Sequence, residues 1–302
     1  MQAIGLSFQR ESFTLIAPSS SSAPLVPLRP AILWLDGRAD GECAALRGGS
    51  AEPALSAEQY HQSTGKPLDV TSALARMRWL ADHEPALLHT AAGPTPFQWV
   101  DCGAVLSHAL TGHLTTCIAG ADTCGLIDLH SREWSGAILD AAGLELGQMP
   151  ALAEPGELLG GVSAAAAAEL EGTGVDEGCP VVMAGGDGQV FNVGMMAEGG
   201  GGGDGSMMLT LGTSVVLSLS SATPEIAPAY RTLAAADGAT YTMESVVQSG
   251  TLVLRWFVDS FGSQAAAPSA DAHGSDAVRF PFCFWGCFPF GWSPCLGVVA
   301  LF

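Results

Sequence analysis

Three short segments carry residue types that could do chemistry together. In the first, Asp187 sits within Gly185-Gly186-Asp187-Gly188-Gln189, directly after the apolar run Pro180 to Ala184. A carboxylate at the end of a buried strand can accept the proton of a substrate hydroxyl, and flanking glycines let backbone and ligand approach closely. The same pattern also reads as an Asp that caps the following helix. In the second, Leu209-Thr210-Leu211 runs into Gly212-Thr213-Ser214. A strand–Gly-Thr-Ser–strand turn offers successive N–H groups and two hydroxyls to an anion, although ordinary hairpin tips look similar. In the third, Gln9-Arg10-Glu11 ends one strand and Trp34-Leu35-Asp36-Gly37-Arg38 ends the next. Adjacent Arg and Glu can hold a polyol by charge-assisted hydrogen bonds, or they can form a plain surface ion pair.

The elements that must position these groups follow from pattern. Ala3 to Ile16 alternates, and reads as strand, polar turn, strand. Ala31 to Leu35 reads as a short strand. Gly41 to Ala92 is mostly helical, with an apolar face at Leu74, Met77, Trp79 and Leu80. Helices are expected over Trp99 to Leu110, Ser135 to Ala142, Ser163 to Leu170, Gln189 to Met196 and Ser249 to Phe261. Pro180 to Ala184 reads as a buried strand. Gly199 to Gly203 is a natural joint, followed by a hairpin, Met207 to Leu211 with Val215 to Leu219, and a strand at Thr240 to Met243. From Ser263 the chain becomes Ala/Ser/Asp-rich, then Phe-, Trp-, Cys- and Pro-rich over Phe280 to Phe302. Three prolines make that end a poor membrane helix, and it reads as an aberrant end to the reading frame.

A chain of 302 residues that is 48% hydrophobic and 14% charged has material for a sizeable core. Its 11 basic and 30 acidic residues give a net charge of −19, which repels a phosphate backbone and argues against nucleic acid as partner. Any ATP must then be held by local backbone N–H groups and Mg²⁺. The eight cysteines, scattered without a CxxC pair, read as reduced thiols. Nothing at the start reads as a signal peptide, so a cytoplasmic protein without a membrane span is expected.

In this order the segments resemble the FGGY family of carbohydrate kinases, in particular its xylulokinase-like branches. AIGLSFQRESFTLI is similar to the family's GxSxQRExxxLL strand pair, and LRPAILWLDGRA to its RPAIxWxDxRA. TGKPLD, SHALTGHLTT and CGLIDLHSREWS have counterparts, PVVMAGGDGQ resembles PVxxGxGDxx, and LTLGTSVV resembles xxLGTSxx. The resemblance implies an α/β fold of the actin-like ATPase (ribonuclease H-like) class. A nearly complete sugar-binding lobe would span 1–197, the start of a nucleotide-binding lobe 198–262, and a tail outside the family 263–302. It implies ATP-dependent phosphorylation of a sugar or polyol, a pentulose such as xylulose, with Mg²⁺. Asp187 matches the catalytic base. Gly212, Thr213 and Ser214 match the loop holding the ATP phosphates. Arg10 and Glu11 match substrate positions, with Asp36 and Gln189 placed beside them. The family's DxGT loop and adenosine motif have no counterpart here, which gives an incomplete kinase. The alternatives are a pseudokinase-like fragment that binds sugar or a partner without turnover, and a membrane-tethered domain. The oligomeric state is open, a homodimer included.

Overall fold

Ile4, Leu6 and Phe8 alternate with Gly5 and Ser7, so one face of the first strand is buried and the other is not. The computed structural model describes residues 3–18, 23–49, 55–90, 93–94, 96–198, 205–211, 214–247, 250, 253, 256, 260 and 297–300. Strand β1 (Ile4–Phe8) and strand β2 (Phe13–Ile16) flank the polar turn, as the alternation predicts. The expected helical stretch is three helices: α1 (Asp40–Arg47), α2 (Ala57–Thr64) and α3 (Ala73–His83). The segment Ala31 to Leu35 forms only an isolated bridge, Ile32 to Phe13.

The helix expected from Trp99 begins later. Gln98–Asp101 is strand β3, antiparallel to β2, and α4 is Cys102–Thr111. Asp101 sets that boundary, because its carboxylate accepts the Ala104 N–H at 2.8 Å and caps the helix. Next come β4 (Thr115–Cys117), α5 (Gly136–Ala142), β5 (Ala151–Ala153), β6 (Leu158–Gly161), α6 (Ala164–Glu169) and β7 (Pro180–Gly186). Helix α7 (Asp187–Glu198) starts at the predicted base itself, two residues before the expected start. Beyond the joint lie β8 (Met207–Leu211), β9 (Val215–Ser221), β10 (Arg231–Ala234) and β11 (Tyr241–Val247). In the tail, Gly297–Ala300 forms β12.

Two sheets frame the molecule. The first has the order β6-β7-β1-β12, with β1 parallel to both β7 and β12. The second, β8-β9-β11-β10, is antiparallel throughout. One core packs Phe13, Leu15, Tyr60, Leu74, Met77 and Trp99 between β2, β3 and the helices. Another packs Ile4, Leu6 and Phe8 with Val181 and Met183 between β1 and β7. One face of the second sheet lines a cavity with Thr210, Val216, Glu244 and Val246. Its outer face carries Met207, Leu209, Leu217 and Val247, all exposed.

Among the described residues the free cysteines are Cys43, Cys102, Cys117, Cys124 and Cys179, as the reduced-thiol reading expects. No helix among the described residues is long and apolar enough to cross a membrane. Most of the aromatic tail lies outside the described residues.

The second sheet is sewn to the first lobe at Gly65, whose carbonyl accepts the Thr232 N–H at 2.7 Å. Gly65 has φ +70°, and a Cβ there would stand 2.2 Å from the Thr232 carbonyl oxygen. Gly65→Ala should therefore cost roughly 2 kcal/mol or more in urea unfolding. Gly49, with φ +68° and open space around it, is the control. Gly49→Ala should cost only the left-handed backbone penalty of about 1 kcal/mol.

Candidate active site

The turn after β1 projects Arg10 and Glu11 in opposite senses, so they do not pair with each other. Glu11 adopts φ 60°, a left-handed conformation that costs a non-glycine residue about 1 kcal/mol or more. Arg76 on α3 holds the turn. It is fully buried and donates to the carbonyls of Glu11 (2.7 Å), Trp34 (3.0 Å) and Asp36 (3.1 Å). One guanidinium thus ties together two loops predicted to bear site residues.

The Glu11 carboxylate is buried and accepts from Lys66 Nζ at 2.5 Å and from Arg231 Nη1 at 2.6 Å. Burial alone would raise its pKa, but the charges of Lys66, Arg231 and Arg10 outweigh it and bring it down to about 2. Arg231, on β10, also donates through Nε to Glu244 Oε1 at 2.8 Å and through Nη2 to the same oxygen. Glu244, on β11, accepts from Arg10 Nη1 and Nη2 at 3.3 and 3.5 Å. Its pKa is likewise about 2, burial being overcome by the two arginines. Arg10 Nε lies 3.4 Å from Asp187 Oδ1.

Asp187 is half-exposed at the first turn of α7. Its Oδ1 accepts the adjacent Gly188 N–H at 2.9 Å, and the carboxylate lines a cavity of about 610 Å³. A capping Asp would engage the N–H two or three residues on, and no such bond is made. The cavity also takes in Arg10, Glu11, Trp34, Tyr230 and Ser214. The candidate base, the Arg10–Glu11 turn and Ser214 therefore share one space. Leu211 pairs with Val215. Ser214 and Thr210 line the cavity, while Gly212 and Thr213 lie outside the described residues.

Two residues expected at the substrate are placed elsewhere. Asp36 does not line the cavity, and its carboxylate is taken by Arg38 at 2.7 and 2.8 Å. It forms the plain ion pair that the Arg10-Glu11 segment was open to. Gln189 is 1% exposed and lies behind the cavity wall. Its Oε1 accepts from Arg10 Nη1 at 3.4 Å, and its Nε2 donates to Asp122 Oδ1 at 3.1 Å. Asp122 also accepts from Gly120 N (3.0 Å) and from Ala234 N in the second sheet (2.7 Å). Burial raises its pKa to about 6, against the pull of those two N–H groups.

Among the described residues there is no cluster of side chains that would hold Mg²⁺ by itself, so any Mg²⁺ would depend largely on the nucleotide phosphates. No three His, Cys, Asp or Glu side chains converge, and Glu11 and Glu244 are occupied by cations. No residue role below runs through a metal.

Residues 1–194 match the FGGY family of carbohydrate kinases, N-terminal domain. The chain belongs to this family. It is similar to the autoinducer-2 kinase of Enterobacter sp. (strain 638), 38% identical over 162 residues, 53% of this chain and 28% of that one. Among solved structures it is similar to a xyloylose kinase from Brucella ovis, with 27% identity and a TM-score of 0.70. That match covers 86% of this chain and 49% of that one. A gluconate kinase from Lactobacillus acidophilus shares the fold at 22% identity and a TM-score of 0.72, over 88% of this chain and 50% of that one. The chain thus spans about half the length of the solved FGGY structures, and the mixed α/β fold is that of their N-terminal part, in the actin-like ATPase class.

Lys66, Arg231, Glu244 and Asp122 were not selected as site residues from sequence. Lys66 lies inside TGKPLD, one of the family-like motifs. Glu244 is the lone charge in the β11 strand, Tyr241–Val247, a signal that a buried partner awaits it.

The two kinds of carboxylate in this FGGY site give opposite pH dependence. Glu11 and Glu244 have depressed values, so their stabilisation is complete above about pH 4.5 and lost as pH falls towards about 2. Asp122, with buried Asp101, is raised to about 6; its favourable contribution is present below about pH 4 and lost as pH rises through 6. Urea midpoints should therefore peak at about pH 4, fall on the acid side towards about pH 2, and fall on the other side until about pH 6. The acid side should lose on the order of 3 kcal/mol per glutamate. Glu244→Gln should flatten the acid limb.

Proposed function

We propose that this chain provides the sugar site and general base of an ATP-dependent kinase acting on a neutral sugar or polyol, a pentulose such as xylulose foremost. Residues 1–197 act as the sugar lobe, and 198–262 begin the nucleotide lobe. The observation that carries this reading is the placement of Asp187 in one cavity with Glu11, Arg10 and Ser214.

The chemistry follows from the groups. A sugar hydroxyl beside Asp187 gives its proton to the carboxylate as its oxygen forms a bond to the γ-phosphorus of ATP. The bond from that phosphorus to the ADP oxygen breaks, ADP departs with the electron pair, and the proton stays on Asp187 until exchanged with water. Ser214 and Thr210 offer hydroxyls on the phosphate side. Trp34 and Tyr230 supply flat apolar walls for the C–H faces of a sugar.

Neutral substrates are favoured by the charge pattern. Arg10, Arg231 and Lys66 each already face at least one carboxylate. A sugar acid would have to break one of these pairs to find a counter-charge, and an uncharged hydroxyl would not. In a panel of D-xylulose, autoinducer-2, glycerol and gluconate, read by ADP release and by calorimetry, gluconate should bind most weakly.

In a full-length version restored at both ends, Asp187→Asn should lower kcat by about two to four orders of magnitude with KM nearly unchanged. Asn keeps the shape and one acceptor oxygen but cannot take the proton. A variant that unfolds yet retains full specific activity per folded molecule would make Asp187 structural instead.

A further inference from the structure

The glycines around Asp187 were read as room for a ligand, yet the space they leave is filled by protein. A Cβ at Gly186 would stand 2.7 Å from Arg10 Cγ and 2.9 Å from Arg10 Cδ. A Cβ at Gly188 would stand 2.5 Å from Arg10 Nη2 and 2.6 Å from Arg10 Cζ. Neither glycine has the positive φ that would demand glycine for backbone reasons. The Arg10 side chain therefore lies in a channel floored by the backbone on both sides of Asp187.

The far end of that channel is closed from the other sheet. Glu244 grips the Arg10 guanidinium at Nη1 and Nη2 while Nε is left facing Asp187. Glu244 is itself fixed by Arg231 and is 2% exposed. A planar guanidinium gripped at its Nη1 and Nη2 end has little freedom to rotate, so its Nε stays beside Asp187, 3.4 Å from Oδ1. Arg10 comes from the first lobe, and Glu244 from the sheet that carries the phosphate turn.

We propose that Glu244 is a positioning residue: it clamps Arg10 in the Gly186–Gly188 channel, and the clamped Arg10 aligns the Asp187 carboxylate only while the second sheet is seated on the first lobe. The inference rests on Asp187 being the base. It makes base alignment conditional on the sheet that presents phosphate, so the base is fully ordered only in the closed arrangement.

Two variants reach the clamp from opposite ends. Glu244→Gln removes the counter-charge with almost no change of shape. Gly188→Ala leaves both charges in place but pushes the flexible end of Arg10 out of the channel. On the full chain, each should lower kcat for sugar phosphorylation by about 10- to 100-fold while sugar KM moves less than about three-fold. The double variant should be no worse than the weaker single variant by more than about two-fold, since both act through Arg10. Independently of turnover, the ¹⁵N signal of Arg10 Nε–H, assigned by its loss in Arg10→Lys, should exchange with water at least about ten-fold faster in both variants. The Arg231 Nε–H should respond only to Glu244→Gln. An unchanged Arg10 signal, additive losses in the double variant, or full kcat with the clamp released would each overturn the proposal. If the wild-type chain phosphorylates no sugar, the pseudokinase-like alternative gains, and the arginine signals alone decide whether the clamp exists.

Discussion

A carboxylate cannot be taken out of water without a counter-charge, and Glu11 is buried at the tip of a strained turn. Much of the site's architecture answers that requirement. Lys66 arrives from the segment after α2, Arg231 from β10, and Arg76 fixes the turn's backbone from α3. Removing both side-chain cations would leave an uncompensated charge in the interior, an outcome worth several kcal/mol, and removing one leaves the other to carry the pairing. The need to satisfy one acid thus recruits three remote segments and joins the second sheet to the first lobe.

From Glu11 the pairing spreads outward in a belt. Arg231 passes to Glu244, Glu244 to Arg10, Arg10 to Gln189, and Gln189 to Asp122. Asp122 then returns to the second sheet at the Ala234 N–H, three residues from Arg231 on the same strand. The two attachments of β10 are therefore the two ends of one polar circuit. Such circuits are rigid when complete, because each group is oriented by two neighbours. Asp187 touches the circuit at Arg10 but keeps half its surface free, as a group that must meet substrate has to.

Local chemistry was readable in sequence, and long-range pairing was not. The β1–turn–β2 unit, the buried strand before Asp187, the α6 helix and the β8–β9 hairpin follow from alternation and turn residues. The β3–α4 boundary was missed because Trp99 and Val100 suit a helix equally well, and only pairing with β2 and the Asp101 cap decide it. Gln189 looked like a substrate ligand because it is polar and follows the base. Its burial depends on Asp122, 67 positions away, and no local pattern announces that contact. Asp36 was placed beside Arg10 by loop order, yet its neighbour Arg38 satisfies it first. The partners of Glu11 and Glu244 come from segments up to 234 residues apart in the chain, beyond any periodicity.

The second sheet buries charge and exposes apolar side chains. Glu244 is buried against the cavity, and Met207, Leu209, Leu217 and Val247 stand exposed on the other face. An apolar row of this kind is cohesive between molecules as well as within them. What holds copies apart in dilute buffer is the net charge of −19, a repulsion that reaches only about a Debye length. Salt shortens that reach, and sulfate or phosphate salts also strengthen the apolar attraction. The net charge and the apolar row thus oppose each other across the same surface, and ionic strength sets the balance between them.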